Sequence, residues 1–270
     1  VPAASEWPAC RLVPAAIEWP ACRLVPAAIE WYADPVDRSA AVAEERMQGQ
    51  GILVVDIGGN NIKLKHSALD ERRKLKSGPA FTPQHMVEAA RALAHDWRYD
   101  RVTIGCPGAV RNGRLVLEPV NLGKGWLDFD LGAAFERPVK LVNDAVMQAV
   151  GSYDGGKMLF LGLGTGLGAA LVADHVAVPL EVAHLPYRRK FSFEDCVGKR
   201  GLDRMGEKRW EKAVHDVVAR LMAALVADHV VLGGGNAKRL KVLPADSRLG
   251  DNLNAFSGGV RIWQEQFRVL

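Results

Sequence analysis

Several things are scarce in this chain of 270 residues. No apolar run approaches the roughly 18 residues needed to span a bilayer, so no membrane segment and no membrane partner are expected. The first residues lack a basic stretch followed by an apolar core, so no secretory leader is read and the expected compartment is the cytoplasm. Cysteine is rare: Cys10, Cys22, Cys106 and Cys196 show no CxxC spacing and read as reduced thiols without a disulfide framework. Charge of one sign is not in large excess, since 35 basic against 31 acidic side chains leave +4, too little to call for nucleic acid as a partner. What remains is ordinary for a globular chain, with 49% hydrophobic and 24% charged residues. The length is comfortable for two domains.

The first residues repeat with a period of twelve: VPAASEWPACRL (1–12), VPAAIEWPACRL (13–24) and the start of a third copy, VPAAIEW (25–31). A proline about every six residues forbids a helix and leaves only very short strands. The tract is either a Pro/Trp ligand for a partner or a tandem expansion, and residues 1–46 are read as lying outside the fold. Met47, just before the first strong strand, is the candidate ancestral start. Residues 1–46 carry net −3, which leaves +7 on the remainder.

From Gly51 onward the pattern alternates between strands and helices, which predicts an α/β fold. GILVVDIGG (51–59), IKLK (62–65), VTIGCPG (102–108), VKLVNDA (139–145), MLFLGLGTGLGAALVA (158–173) and HVVLGGG (229–235) read as strands with their turns. Helical spacing covers 84–97, a long pattern at 203–227, and a terminal segment at 254–267 with a weak spot at Gly258–Gly259.

Three strands end in glycine turns: DIGGN (56–60), GLGTGLG (162–168) and LGGGN (232–236). Neither the dinucleotide GxGxxG nor the Walker GxxxxGK[ST] is met. Three such turns in one chain point to backbone N–H groups gathered around phosphate oxygens, where a Cβ would block approach. Asp56 closes a buried strand just before the first glycine pair and needs a partner, such as Mg²⁺ or its water shell. Asn143-Asp144 closes another strand in the same way. A carboxylate there suits proton abstraction from a hydroxyl during phosphoryl transfer, whereas a helix N-cap would use the same residue types for structure alone.

In this order DIGGNNIK (56–63), NDA (143–145), LGLGTGLG (161–168), EVAH (181–184) and LGGGN (232–236) resemble the ROK family of sugar kinases. GCPG (105–108), NLGKGWLDFD (121–130) and GGGNAKRL narrow the resemblance to the polyphosphate glucokinase-like branch, over about 51–267. The resemblance implies the two-lobed actin/hexokinase/Hsp70-like (ribonuclease H-like) ATPase fold with the site in the interlobe cleft. The lobes are expected at 47–141 plus 256–270, and at 142–255. It implies phosphate contacts from Asp56, Gly58, Gly59, Asn60, Lys63, Gly164, Thr165, Gly166 and Gly168, with Gly233, Gly234 and Gly235 on the nucleotide side. Sugar contacts fall on Asn121, Asn143, Asp144, Glu181, His184 and Glu194. Asp144 matches the catalytic base, and Asp56 the residue near Mg²⁺.

The implied activity is transfer of a phosphoryl group from ATP or polyphosphate to the 6-hydroxyl of glucose or a similar hexose, and the resemblance also allows a homodimer. A sugar-binding regulator of the same fold, or a kinase for another hexose, are the alternatives. Two positions depart from the family pattern, Asn60 for threonine and Ala183 for glycine. The CxCGxxGC zinc motif is represented only by Cys196, so no structural zinc is expected. Basic clusters at Arg188-Arg189-Lys190, Lys199-Arg200 and Lys238-Arg239 with Lys241 would attract a polyanionic donor if they lined one groove, and would otherwise be a solvated face.

Overall fold

The computed structural model describes residues 51–58, 61–119, 121–251, 253–264 and 266–270; the N-terminal repeat, Gly59 and Asn60 lie outside the described residues. The apolar run of β1 (Gly51–Ile57) is buried on both faces, as a central strand requires. It pairs antiparallel with β2 (Asn61–His66), which pairs antiparallel with β3 (Arg72–Lys76). Helix α1 (Pro83–Leu93), capped by the Thr82 side chain, leads to β4 (Tyr99–Cys106), parallel to β1. A small hairpin of β5 (Val110–Arg111) and β6 (Arg114–Leu115) and helix α2 (Leu131–Phe135) follow, and then β7 (Val139–Asn143), parallel to β4. The first sheet is thus ordered β3-β2-β1-β4-β7.

Helix α3 (Asp144–Ser152) starts without a break from β7 and crosses to β8 (Met158–Leu163), β9 (Leu167–Ala173) and β10 (Val176–Leu180), an antiparallel meander. A two-stranded hairpin, β11 (Pro186–Arg188) and β12 (Phe191–Ser192), and three helices follow: α4 (Phe193–Val197), α5 (Lys199–Met205) and α6 (Glu207–Leu225). Then come β13 (His229–Gly233), parallel to β8, and β14 (Ser247–Leu249), parallel to β13. Helix α7 (Asn254–Arg261) and β15 (Arg268–Val269), which pairs with β10, end the chain. Apart from β15 the second sheet, β14-β13-β8-β9-β10-β15, repeats the first: a three-stranded meander extended by two parallel strands on the side of its first strand.

Alternation along the central strands sorts the core into layers. Leu53, Val55 and Ile57 pack with α1 through Met86, Val87 and Ala90, while Val54 faces the opposite way. Leu159, Leu161 and Leu163 pack with α6 through Trp210, Val214 and Val217, while Met158 and Phe160 face α3 and α7. Helices α3 and α7 therefore fill the space between the two sheets.

Three sequence-based expectations are corrected. The long helical pattern at 203–227 is two helices, because Gly206 takes φ +74 and breaks the chain's course between α5 and α6. The terminal helix ends at Arg261 rather than continuing to 267, and β15 follows it. The glycines expected to weaken that helix mark its closest packing: a Cβ on Gly258 would lie 1.8 Å from the Met147 carbonyl oxygen of α3, and one on Gly259 would lie 2.4 Å from Val54. The terminal segment packs on both sheets, with α7 on α3 and β1 and with β15 on β10.

Candidate active site

The junction of β7 and α3 fixes the central carboxylate. Asn143 is the N-cap: its Oδ1 accepts from the N–H groups of Ala145 (2.9 Å) and Val146 (3.3 Å), and its Nδ2 donates to the Gly108 carbonyl at 2.9 Å. The cap role anticipated for this pair thus belongs to Asn143, which keeps one amide hydrogen for a ligand. Asp144 is the first helical residue. Its Oδ1 accepts from Ala145 N at 2.9 Å, and its Oδ2 has no partner among the described residues. Burial pushes the Asp144 carboxyl up to about 6, helped by the negative charge of Asp56 and opposed by the backbone N–H.

Asp56 is itself 8% exposed, and Lys63, its cross-strand partner in the β1–β2 register, reaches Oδ2 at 3.1 Å. Lys63 thus pairs with this buried carboxylate through Oδ2, where the sequence alone pointed to Mg²⁺ or its water shell, and Oδ1 has no partner among the described residues. Ser77 Oγ donates to the Gly58 carbonyl at 2.7 Å and pins the start of the first glycine turn.

The second turn joins β8 to β9. The Gly164 carbonyl accepts from Asn236 Nδ2 at 2.8 Å and from Lys199 N at 3.1 Å. The Leu167 N–H donates to Glu194 Oε2 at 3.2 Å, whereas the N–H groups of Thr165 and Gly166 have no partner among the described residues. Across from them, Gly234 takes φ +81, open to glycine but costly for other residues, and the N–H groups of Gly234 and Gly235 are likewise unpartnered. Three of these four residues, Thr165, Gly166 and Gly234, line one cavity, and unpartnered backbone N–H groups are donors suited to an anion.

Close packing accounts for most of these glycines. A Cβ on Gly166 would lie 2.3 Å from Glu194 Oε2, on Gly168 2.9 Å from Ala145 Cβ, on Gly233 2.5 Å from the Phe160 ring, and on Gly234 2.5 Å from the Leu163 carbonyl oxygen. Only Gly164 and Gly235, of these two turns, face open space.

A cavity of about 330 Å³ gathers most of the predicted residues: Asn121, Asn143, Asp144, the 164–168 turn, Glu181, His184, Glu194 and Gly234 all line it. Asp56, Gly58 and Lys63 lie outside this lining, as do Gly233 and Gly235. Burial raises the Glu181 carboxyl, against the positive pull of His184. Glu194 opens α4, with Arg200 on Oε1 at 3.2 Å. Ala183 is buried beside it, and its carbonyl accepts from Glu194 N at 3.0 Å.

Two residues of the site were not anticipated. Gln148 lines the cavity one helical turn beyond Asp144, a spacing visible in the sequence once α3 is recognised. Asn236 clamps the glycine turn from the LGGGN motif. The basic clusters do not form a free track, since four of their eight side chains are ion-paired locally: Arg188 with Asp216, Lys199 with Asp203, Arg200 with Glu194, and Arg239 with Glu207.

The sequence matches no protein-family model and no curated protein. Solved structures do match. The inorganic polyphosphate/ATP-glucomannokinase from Arthrobacter sp. strain KM is 23% identical, over 78% of this chain and 96% of that one, with a TM-score of 0.66. The ROK hexokinase from Thermus thermophilus gives 18% identity over 77% and 96%, with a TM-score of 0.62. The ROK glucokinase from Streptomyces griseus, in complex with glucose and AMPPNP, gives 16% over 78% and 98%, with a TM-score of 0.60. The fold is that of the ROK sugar kinases. In this ROK fold the cavity lies where the end of β7, the β8–β9 turn and the end of β13 converge. Among the described residues no helix is long and apolar enough to cross a membrane, and no group of three His, Cys, Asp or Glu side chains is placed to hold a metal.

Proposed function

We propose that this chain is a sugar kinase that phosphorylates the 6-hydroxyl of glucose, with Asp144 as general base. The observation that carries this reading is Asp144 itself: one oxygen free, raised to about 6, in a cavity that also presents the free N–H groups of Thr165, Gly166 and Gly234. A base whose pKa lies just below neutral pH is ionised at work and still accepts a proton readily. Asn121, Glu181, His184 and Glu194 supply the mixed donors and acceptors that a polyhydroxyl substrate requires, and a sugar lacking one hydroxyl would leave a polar group unpaired.

In the proposed reaction Asp144 Oδ2 takes the proton of the sugar hydroxyl as the hydroxyl oxygen attacks the terminal phosphorus of the donor, whose bond to the bridging oxygen breaks and releases ADP or a polyphosphate one unit shorter. The glycine turns hold the donor oxygens in line for that attack. The donor set also suits Mg²⁺, which characteristically takes one or two carboxylates along with substrate phosphates rather than an all-protein cage. Asp56 is the residue that would hold it, and when bound the ion would neutralise charge on the phosphate oxygens. Both ATP and polyphosphate are proposed as donors.

The test is glucose-6-phosphate formation with Mg²⁺ and either donor, beside Asp144→Asn. Product that vanishes in the variant supports the reading. A folded protein that binds glucose and makes no product with either donor would instead be a sugar-binding regulator. If glucose neither binds nor reacts, another hexose is the substrate to test.

A further inference from the structure

The register of the β2–β3 hairpin brings together charges that are not obvious in the sequence. Asp56 and Lys63 are direct cross-strand partners and share one face of the first sheet. Continuing across that face, Lys63 lies opposite Lys74, Lys65 opposite Arg72, and Asn61 opposite Lys76. Five cations therefore stand on one side of a two-stranded ribbon, about 14 Å long from position 72 to 76. Segment 61–76 holds six basic and two acidic side chains, net +4 of the +7 carried outside the first 46 residues.

This arrangement opposes the hairpin's own stability, because like charges directly opposite one another repel. The opposite face shows how the protein treats a cation it needs for structure: Arg73 is paired with Glu71 and Asp96 and lies 4.3 Å over the Trp97 ring. On the cationic face only Lys63 and Lys65 have carboxylate partners among the described residues, Asp56 and Asp70. Arg72, Lys74 and Lys76 are exposed and make no ion pair or side-chain hydrogen bond among the described residues. Lysines on an edge strand also deter edge-to-edge pairing, but that purpose needs charge on β3 alone and not matching charge on β2. The row of cations begins at Lys76, next to Ser77, which holds the Gly58 turn, and runs outward from there.

We infer that this face is a binding track for the distal part of an extended inorganic polyphosphate whose terminal phosphate is presented at the glycine turns. The inference rests on the kinase reading only for the direction of the chain. Continuity with Asp56 and the first glycine turn favours polyphosphate over nucleic acid, since a linear donor must thread both the track and the transfer site.

The experiment uses the full chain and the triple variant Arg72→Ser/Lys74→Ser/Lys76→Ser, none of whose positions belongs to the proposed catalytic machinery. Binding of fluorescently labelled long-chain polyphosphate is measured over a salt series, with tripolyphosphate and duplex DNA as competitors. Turnover is measured in parallel with ATP and with long-chain polyphosphate. The triple variant is expected to bind long polyphosphate about ten-fold more weakly at low salt, with the slope of log affinity against log salt reduced by about 2, treating the chain like a single-stranded polyanion. Tripolyphosphate affinity and ATP-supported turnover are expected to stay within about two-fold, because neither donor reaches the outer cations. Unchanged binding of long polyphosphate overturns the track, whatever the turnover. DNA binding as tight as that of polyphosphate, and lost in step with it, also overturns it in favour of a general polyanion surface. Loss of polyphosphate binding in a protein that makes no sugar phosphate with any donor would sustain the track and sink the kinase reading.

Discussion

At the residue scale, Asp144, the proposed base, is held at a cost in stability. Its carboxyl is raised to about 6 in the folded protein, chiefly by burial, while an unfolded aspartate titrates at about 4. The native state therefore holds the proton more tightly, and the stability associated with the protonated form is present below pH 4 and lost as pH rises through 6. Asp144→Asn removes this penalty. The variant is expected to unfold at higher urea than the parent at pH 7, by about 1–2 kcal/mol once partial exposure discounts the full shift, and to show no gain at pH 3.5. Its kinase turnover is expected to fall by at least about 10³-fold. In the parent, turnover is expected to decline as pH drops below about 6, because the base is then protonated.

Gly166 offers a separate test. A methyl there meets Glu194 Oε2, so Gly166→Ala displaces a carboxylate that Leu167 N and Arg200 hold. A rise in glucose KM of about ten-fold is expected, with the melting temperature nearly unchanged. An unaltered KM would remove Glu194 from the proposed sugar contacts. Position 166 stood out in the sequence as a glycine in a strand turn. The reason for it was hidden, because the carboxylate it accommodates is 28 residues away in the chain.

At the element scale, α3 and α7 cross with their backbones in close approach. Gly151 and Gly258 each abut a backbone carbonyl of the other helix, of Asn254 and Met147 respectively. Replacing Gly258 by alanine is expected to cost about 3 kcal/mol, since backbone cannot yield as a side chain can, and urea unfolding checks it. The central strands, β1, β4, β8 and β13, were legible because their apolar runs end in glycine or polar turns. The peripheral elements were not. β3 is almost wholly charged and is held as a strand by pairing with β2, and β15 is two residues long and exists only against β10. The break at Gly206 was masked by helical spacing on both sides, because periodicity does not report a single residue at positive φ.

At the scale of the whole molecule, two sheets of matching topology each offer a strand turn to one region. A ligand bound between them stabilises the native state by mass action. Glucose at about 100 times its dissociation constant is expected to add about 2.7 kcal/mol, read as a rise in melting temperature, and the same addition should leave a protein that does not bind glucose unmoved. That much of the architecture was readable from the order of motifs, whereas the cationic face was not, since it depends on strand register.

Helix α3 has a consequence of a mechanical kind. Asp144 stands at its first position and Gly151 near its last, so about 10 Å of helix separates the carboxylate from the farther of the two close contacts in the crossing with α7. A swing of about 5° at that crossing moves the carboxylate by nearly 1 Å, a displacement able to cost about 100-fold in rate. The crossing would act as a fulcrum and α3 as a lever, so small changes in packing far from the cavity would be amplified at the Asp144 carboxylate.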